Sequence, residues 1–139
     1  MKTIYIVCYG SLKSGFHNNY RLGQNAELVC TMEVRGSMYL HKNYPKLYKP
    51  KENTENNVHL CEVWGLDEDC YEEILQMELN EGYIVENINT PAVKNAKIFW
   101  MPWEKFDNTD KPITRYDYNA LDEETRKYLQ TNMHQKPIT

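Results

Sequence analysis

The chain has 139 residues, a length typical of one domain, so we predict a single domain over residues 1–139. Its mean hydropathy is -0.75 and it has no long apolar run, which excludes a helical membrane protein. The net charge of -4 provides no general attraction for nucleic acid, so we expect neither a nucleic acid nor a membrane as partner.

The cysteines and histidines indicate a reducing compartment and no metal. The chain has four cysteines: Cys8, Cys30, Cys61 and Cys70. None has CxxC spacing, and three of the four lie in apolar segments. The four histidines are scattered, and none stands at ligand spacing from a cysteine pair. The first apolar stretch is too short for a secretion signal. We therefore predict a cytoplasmic protein without a bound metal.

The first half of the chain is predicted to be mainly β-structure. Its β-branched and aromatic residues predict strands over residues 3–9, 26–34 and 37–40, and Tyr44 to Leu47 should also be extended. The first strand runs directly into Gly10, so a tight turn should follow it. A short helix is predicted after this turn and should stop near Gly23.

The second half begins with a polar segment, residues 49–57, that predicts an exposed loop. A strand over 58–66 should follow, and then a helix capped by Asp67 that ends near Asn80, with Gly82 as a left-handed cap residue. Further predicted elements are strands over 83–89 and 97–101 and a final helix over 121–131. This order lacks the regular alternation of a doubly wound sheet, so it predicts an α+β fold with a curled sheet or small barrel.

The turn after the first strand is the first candidate for chemistry. Gly10 and Gly15 have the spacing of a phosphate-binding loop, but Phe16 stands where the lysine would be. A nucleotide-binding loop is therefore excluded. A glycine turn between a strand and a helix can still bind a carboxylate or a carbonyl oxygen through its backbone N–H groups, although it can equally be a plain tight turn.

Two carboxylates at the end of the predicted helix are the second candidate. Glu78 and Glu81 are three residues apart, and two such groups can divide acid and base roles. Exposed glutamates on a helix are common, but Glu81 lies directly before Gly82, where the chain turns and a side chain can point into a cavity. We therefore predict Glu81 as the functional carboxylate.

Cys8 offers an alternative chemistry. It precedes the glycine turn, and with His17 as a base it could act as the nucleophile of a cysteine hydrolase. A cysteine that alternates with apolar neighbours in a strand is more often a small buried hydrophobic residue.

Four separated motifs resemble those of the γ-glutamylcyclotransferase-like proteins, a family that includes γ-glutamylamine cyclotransferases and AIG2-like proteins. Residues 9–12 are similar to its Y-G-[ST]-L signature, and residues 36–39 with 44–47 are similar to its G-x-[LM]-Y and Y-P-x-L elements. Residues 62–64 resemble its G-E-[VL]-[YW] strand. Residues 75–82 resemble its L-D-x-x-E-G helix end, with Glu81 on the catalytic glutamate.

The resemblance implies a small mixed β-barrel flanked by helices, with a pocket at the end of strand one. It also implies a reaction that needs no cofactor: the α-amine of a γ-glutamyl compound attacks its own γ-carbonyl, releasing an amine, amino acid or peptide and leaving 5-oxoproline. Glu81 would be the general base and then the general acid. The implied substrate-binding residues are Tyr9, Gly10, Ser11, Leu12, Tyr39 and Tyr44.

A second function stays open on the same scaffold. The motifs depart from the family pattern after Gly82, which favours a non-catalytic protein that binds or sequesters a small molecule. In either case the expected partner is a small molecule. The sequence specifies neither the leaving group nor the oligomeric state.

Overall fold

The computed structural model describes residues 2–10, 12–13, 17–41, 44–51 and 57–113. The predicted final helix over 121–131 lies outside these residues, as does Ser11 of the glycine turn. No helix in the described ranges is both long and apolar enough to cross a membrane.

The described elements follow the predicted order closely. The strands are β1 (Thr3–Cys8), β2 (Glu27–Arg35), β3 (Ser37–His41), β4 (Tyr44–Tyr48), β5 (Val58–Asp67), β6 (Ile84–Ile88), β7 (Ala96–Trp100) and β8 (Lys111–Ile113). The α-helix α1 spans Glu68–Asn80, and two 3₁₀ segments span His17–Leu22 and Trp103–Lys105. The second 3₁₀ segment and β8 are not among the predicted elements.

A five-stranded mixed sheet forms the larger part of the fold, in the order β2-β5-β1-β7-β6. Strand β1 lies in the middle, antiparallel to β5 and parallel to β7. Because both of its edges are paired, Ile6, Val7 and Cys8 are buried. The carboxyl end of β1, where the glycine turn begins, is therefore fixed by the centre of the sheet.

A second sheet of three strands has the order β4-β3-β8. The described strands thus form two sheets, and the predicted small barrel is not confirmed. The coarser prediction of a mixed α+β fold is confirmed. Strands β2 and β3 are almost continuous, separated only by Gly36. A Cβ atom on residue 36 would lie 2.8 Å from the Tyr48 carbonyl oxygen, so this glycine permits the close packing of β4 where the chain passes between the sheets.

Helix α1 packs against the large sheet through an apolar stripe. Asp67 stands at its N-cap position, as predicted, although its side chain makes no capping hydrogen bond. Tyr71 and Ile74 are buried in one core cluster with Ile6 and Cys8 of β1. The helix therefore ends over the carboxyl end of β1, close to the glycine turn.

Candidate active site

A cleft opens where β1 ends, between the glycine turn, the end of α1 and strand β4. The volume within it that is accessible to the centre of a water-sized sphere is about 40 Å³. Its lining residues are Val7, Cys8, Tyr9, Gly10, Leu12, Pro45, Glu78, Tyr83 and Phe99. Most of these residues are apolar, and Glu78 alone among the described lining residues has a carboxyl group. A pocket of this kind, apolar with one ionisable group, is typical of a small-molecule site.

The glycine turn forms one wall of the cleft. The backbone N–H of Lys13 donates to the Gly10 carbonyl at 3.1 Å, which closes the turn. A Cβ atom on residue 10 would lie only 2.9 Å from Cγ of Pro45, so glycine is needed for this close approach. The Asn19 side chain donates to the Leu12 carbonyl at 2.8 Å and ties the turn to the following 3₁₀ segment. The turn is thus held in place from both sides.

The end of α1 forms the opposite wall. Gly82 has φ +95°, the left-handed conformation predicted for it. The Tyr83 N–H donates to the Glu78 carbonyl at 3.1 Å, and the Gly82 N–H donates to the Leu79 carbonyl at 3.0 Å. These two bonds constitute a Schellman motif. The motif brings Glu78 and Tyr83, five residues apart, to the same side of the cleft.

Glu78 has an unusual electrostatic environment. Its side chain is partly accessible through the mouth of the cleft, but protein surrounds the carboxyl group. Burial, followed by the negative charge of Glu81, raises the pKa of Glu78 to about 8. The negative end of the α1 dipole acts in the same direction, since Glu78 lies in the last turn. No hydrogen bond or salt bridge from another described residue reaches this carboxylate.

Glu81, the predicted catalytic residue, does not line the cleft. It is the C-cap residue of α1, with φ -84°, and its side chain is exposed. Residue 81 lies seven positions after Ile74 and so continues the same helix face, but it stands beyond the last turn and its side chain is exposed. The described cleft lining includes Glu78 and not Glu81, and the assignment of the catalytic carboxylate to Glu81 stays a prediction.

The helical repeat contained the signal for Glu78. This residue lies seven positions after Tyr71 and four after Ile74, so it continues the buried stripe of α1. Glu81, seven positions after Ile74, satisfies the same spacing, so the repeat alone does not choose between the two carboxylates. The family motif directed attention to Glu81 because Gly82 follows it.

Two tyrosine hydroxyl groups hold the walls of the cleft. Tyr83 donates to the Pro45 carbonyl at 3.1 Å, and Tyr9 donates to the Phe99 carbonyl at 2.5 Å. Burial raises the pKa of both phenols well above the usual value, so both remain protonated. Tyr9 was predicted from the sequence as a site residue, whereas Tyr83 was not.

The remaining predicted site residues are distributed differently. Gly10 and Leu12 line the cleft, whereas Ser11 is not described. Tyr39 lies outside the cleft lining, in an aromatic cluster where its ring centroid is 4.8 Å from Phe106 and 5.8 Å from Tyr48. For Tyr44 only the backbone is described, in β4 opposite His41.

Cys8 lines the cleft, but its environment opposes a nucleophilic role. Burial, with smaller contributions from the charges of Glu62 and Glu78, raises the pKa of the thiol well above its usual range. A cysteine nucleophile requires the thiolate, which this site disfavours. The His17 side chain, the base in this alternative, is not described.

We predict that Cys8→Ala retains turnover within about threefold, at a stability cost typical of a small core substitution, about 1 kcal/mol. Initial rates and urea denaturation would measure the two effects. Cys61→Ala is the matched control, because Cys61 is equally buried but does not line the cleft. A folded Cys8→Ala protein with turnover reduced a hundredfold would instead support the cysteine mechanism.

A histidine–carboxylate cluster lies outside the cleft lining. His41 Nδ1 is 2.6 Å from Asp110 Oδ1, and Lys46 Nζ is 3.5 Å from Asp110 Oδ2. Asp107 lies close to His41 and Asp110, near enough for the three side chains to bind one metal ion. Since Lys46 already pairs with the buried Asp110 and His41 is hydrogen-bonded to it, we interpret this cluster as a structural link between β3, β4 and the loop before β8.

Solved structures with the same fold include proteins from distant organisms. An uncharacterised protein from Pyrococcus horikoshii, PH0828, is 19% identical with a TM-score of 0.64, covering 96% of this chain and 98% of its own. YtfP from Escherichia coli is 23% identical with a TM-score of 0.62, covering 87% of this chain and 99% of its own. An AIG2-like protein from Mus musculus is 14% identical with a TM-score of 0.63, covering 86% of this chain and 92% of its own.

The family comparison covers most of the chain. Comparison with curated protein sequences gives no match. The model of the γ-glutamyl cyclotransferase, AIG2-like family matches residues 6–120, which include the second half of β1, the glycine turn and the end of α1. The chain therefore belongs to the AIG2-like γ-glutamyl cyclotransferase family.

Proposed function

We propose that this protein is a γ-glutamyl cyclotransferase in which Glu78 is the general base and then the general acid. The observation that carries the proposal is one carboxyl group with no partner among the described residues, with a pKa raised to about 8, facing an apolar cleft opposite a glycine turn. A buried ionisable group without a partner costs stability, so its presence in a cleft favours a functional role. Family membership supports the same chemistry.

The raised pKa suits Glu78 to the first proton transfer. An ordinary carboxylate is too weak a base for an ammonium group, whose pKa is near 8 for an α-amine. With its pKa at about 8, Glu78 matches the α-amine, so proton transfer between them is nearly balanced. At pH 7 about a tenth of the protein carries the Glu78 carboxylate, and at pH 8 about half does.

The reaction then needs no group other than the substrate and this chain. Glu78 takes one proton from the α-ammonium and releases it to solvent, and the free amine attacks the γ-carbonyl carbon. The attacking nitrogen gives its second proton to Glu78 as the five-membered lactam forms. The bond from that carbon to the leaving nitrogen breaks, and Glu78 passes this second proton to the leaving nitrogen. The products are 5-oxoproline and the released amine, with the carboxylate restored.

The glycine turn would hold the substrate in a bent conformation. Backbone N–H groups at Gly10 and Leu12 can donate to the glutamyl carboxylate or to the oxygen that becomes negative during ring closure. The cleft is lined by no lysine or arginine side chain among the described residues, so these N–H groups are the donors that the proposal requires. Holding the amine and the carbonyl in reach of each other removes much of the entropic part of the activation barrier, because substrate binding has already fixed their orientation.

Pro45 and Phe99 form the apolar walls that would enclose the glutamyl chain. The Tyr83 and Tyr9 hydroxyl protons are already donated to the carbonyls of these two residues. We therefore propose that Tyr9 and Tyr83 shape the cleft and do not transfer protons.

A substrate panel tests the proposed function. Purified protein would be incubated with γ-glutamyl amines, γ-glutamyl amino acids and glutathione, and 5-oxoproline would be followed by mass spectrometry. We expect product from at least one class, and none from the Glu78→Gln variant. If the folded wild-type protein forms no product from any member but binds one of them, the non-catalytic binding function is favoured.

A further inference from the structure

The residue that closes the glycine turn is a buried lysine. Only 5% of the surface of Lys13 is exposed, although lysine is almost never buried without a polar partner. Its backbone N–H donates to the Gly10 carbonyl at 3.1 Å, and its side-chain Nζ donates to the Leu60 carbonyl at 3.0 Å. One residue therefore forms both a hydrogen bond within the turn and a hydrogen bond from the turn to strand β5.

The carbonyl that accepts from this side chain lies where β1 leaves the sheet. The last pair of the β1–β5 ladder joins Cys8 to Glu62, so the same antiparallel register would place residue 10 opposite residue 60. At Gly10 the chain turns away, whereas β5 continues past this point. A backbone carbonyl at such a place needs another donor. The Lys13 ammonium thus binds β5 where the next residue of β1 would otherwise pair.

The side chain of Lys13 runs behind the turn and not into the cleft. Gly10 and Leu12, on the same turn, line the cleft, whereas Lys13 does not. Burial raises the pKa of the Cys8 thiol at the floor of the cleft, and the Lys13 charge acts in the opposite direction, as expected for an ammonium group behind that floor. Lys13 is therefore placed to act on the cleft through the turn.

We propose that Lys13 is the positioning residue of the glycine turn: its ammonium group, bonded to β5 behind the cleft, holds the backbone N–H groups of the turn where a glutamyl carboxylate or oxyanion can accept from them. The inference rests on one part of the proposed function, that the turn binds the glutamyl group. It does not depend on which carboxylate carries the proton. It also gives Lys13 no contact with the substrate.

Replacing the lysine should loosen the turn and weaken binding. Lys13→Met keeps most of the side-chain volume but removes the donor and the charge. A displacement of about 1 Å in a binding group can cost up to 10²-fold, so we expect the affinity for a ligand with a glutamyl carboxylate to fall about tenfold. Lys13→Arg keeps a charged donor and should lose no more than about threefold.

The test uses ¹⁵N-labelled protein, with 5-oxoproline as the probe ligand. Hydrogen exchange of the residue 13 amide in the free protein reports opening of the turn, and amide shifts during titration with 5-oxoproline give a dissociation constant. We expect Lys13→Met to increase both the exchange rate at residue 13 and the dissociation constant about tenfold, with exchange in the middle of β1 unchanged.

Lys97→Met is the matched control. Lys97 Nζ also forms a side-chain hydrogen bond, to Asn87 Oδ1 at 2.6 Å, but it lies on the β6–β7 pair outside the cleft lining. Neither the exchange rate at residue 13 nor the dissociation constant should change in this variant. Lys13→Gln, whose donor is one bond shorter, replaces Lys13→Met if that variant does not fold.

The outcomes separate this inference from the proposed function. Wild-type exchange and wild-type affinity in folded Lys13→Met would overturn the inference, and so would faster exchange throughout the large sheet, since Lys13 would then stabilise the whole fold. Binding of 5-oxoproline that depends on Lys13 supports the inference even if no panel substrate is turned over, a result that counts against the proposed function alone. Equal turnover and KM in wild type and Lys13→Met would reject the inference and leave the proposed function standing.

Discussion

Glu78→Gln is expected to lower turnover by about 10²–10⁴-fold, the usual contribution of a general acid–base group. Glutamine keeps the shape of the side chain and its place in the last turn of α1, but it cannot accept the proton of the α-ammonium. Substrate binding should change little, because the proposed glutamyl donors are the backbone N–H groups of Gly10 and Leu12. The measurement is the rate of 5-oxoproline formation at pH 8, with a dissociation constant for the same substrate.

Two controls make this result specific. Glu81→Gln, made at the same helix end, should retain turnover near the wild-type value at pH 8. Far-UV circular dichroism should show that Glu78→Gln remains folded. Wild-type turnover in a folded Glu78→Gln protein would reject Glu78 as the proton carrier, and a loss confined to Glu81→Gln would return the role to the residue predicted from the sequence.

The same substitution is expected to stabilise the protein in mildly alkaline solution. The folded-state pKa of Glu78 is about 8, whereas the unfolded value is near 4.5, so between these pH values the folded protein holds a proton that the unfolded chain has released. The stability that this proton contributes is complete below about pH 4.5 and is lost progressively as the pH rises to about 8. Glutamine carries no charge, and it removes this pH-dependent loss.

Urea denaturation from pH 5 to pH 9 would measure the effect. We expect the free energy of unfolding of Glu78→Gln to exceed that of wild type by roughly 2–4 kcal/mol at pH 8.5, with the difference shrinking toward pH 5. A residue that lowers the stability of the folded protein in this way is retained because of its chemical role. A constant difference across the pH range would mean that Glu78 is ionised normally in the folded protein, which contradicts the basis of its assignment.

Much of the fold could be predicted from local sequence signals. The apolar run from Thr3 predicts β1, and Gly10 marks its end. Asp67 and Gly82 bracket α1 almost to the residue, because caps and left-handed positions have strong residue preferences. The gap between the strands predicted over 26–34 and 37–40 contains Gly36, where the chain passes from one sheet to the other.

Other parts depend on contacts distant in sequence. The short strand β8 pairs with β3, more than seventy residues earlier, and its three residues carry no periodic signal. The cleft is completed by Pro45 and Phe99, whose positions follow from sheet pairing and from tyrosine hydrogen bonds. No local pattern identifies either residue as a wall of the site.

The choice between Glu78 and Glu81 shows how a motif and side-chain burial can disagree. The motif aligns on Gly82 and selects the residue before it. The buried stripe of α1 continues through Glu78, and the Schellman motif then brings Tyr83 beside it. Glu81 lies on the same helix face, so the two carboxylates are distinguished by burial in the folded structure and not by helical phase.

A crystal structure of Glu78→Gln with a γ-glutamyl substrate would test the central claim most directly. The account predicts the substrate bent in the cleft, its α-amine within hydrogen-bonding distance of residue 78 and its glutamyl carboxylate or γ-carbonyl on the backbone at Gly10 and Leu12. A substrate bound elsewhere, or in the cleft with its α-amine at Glu81 and away from residue 78, would contradict it.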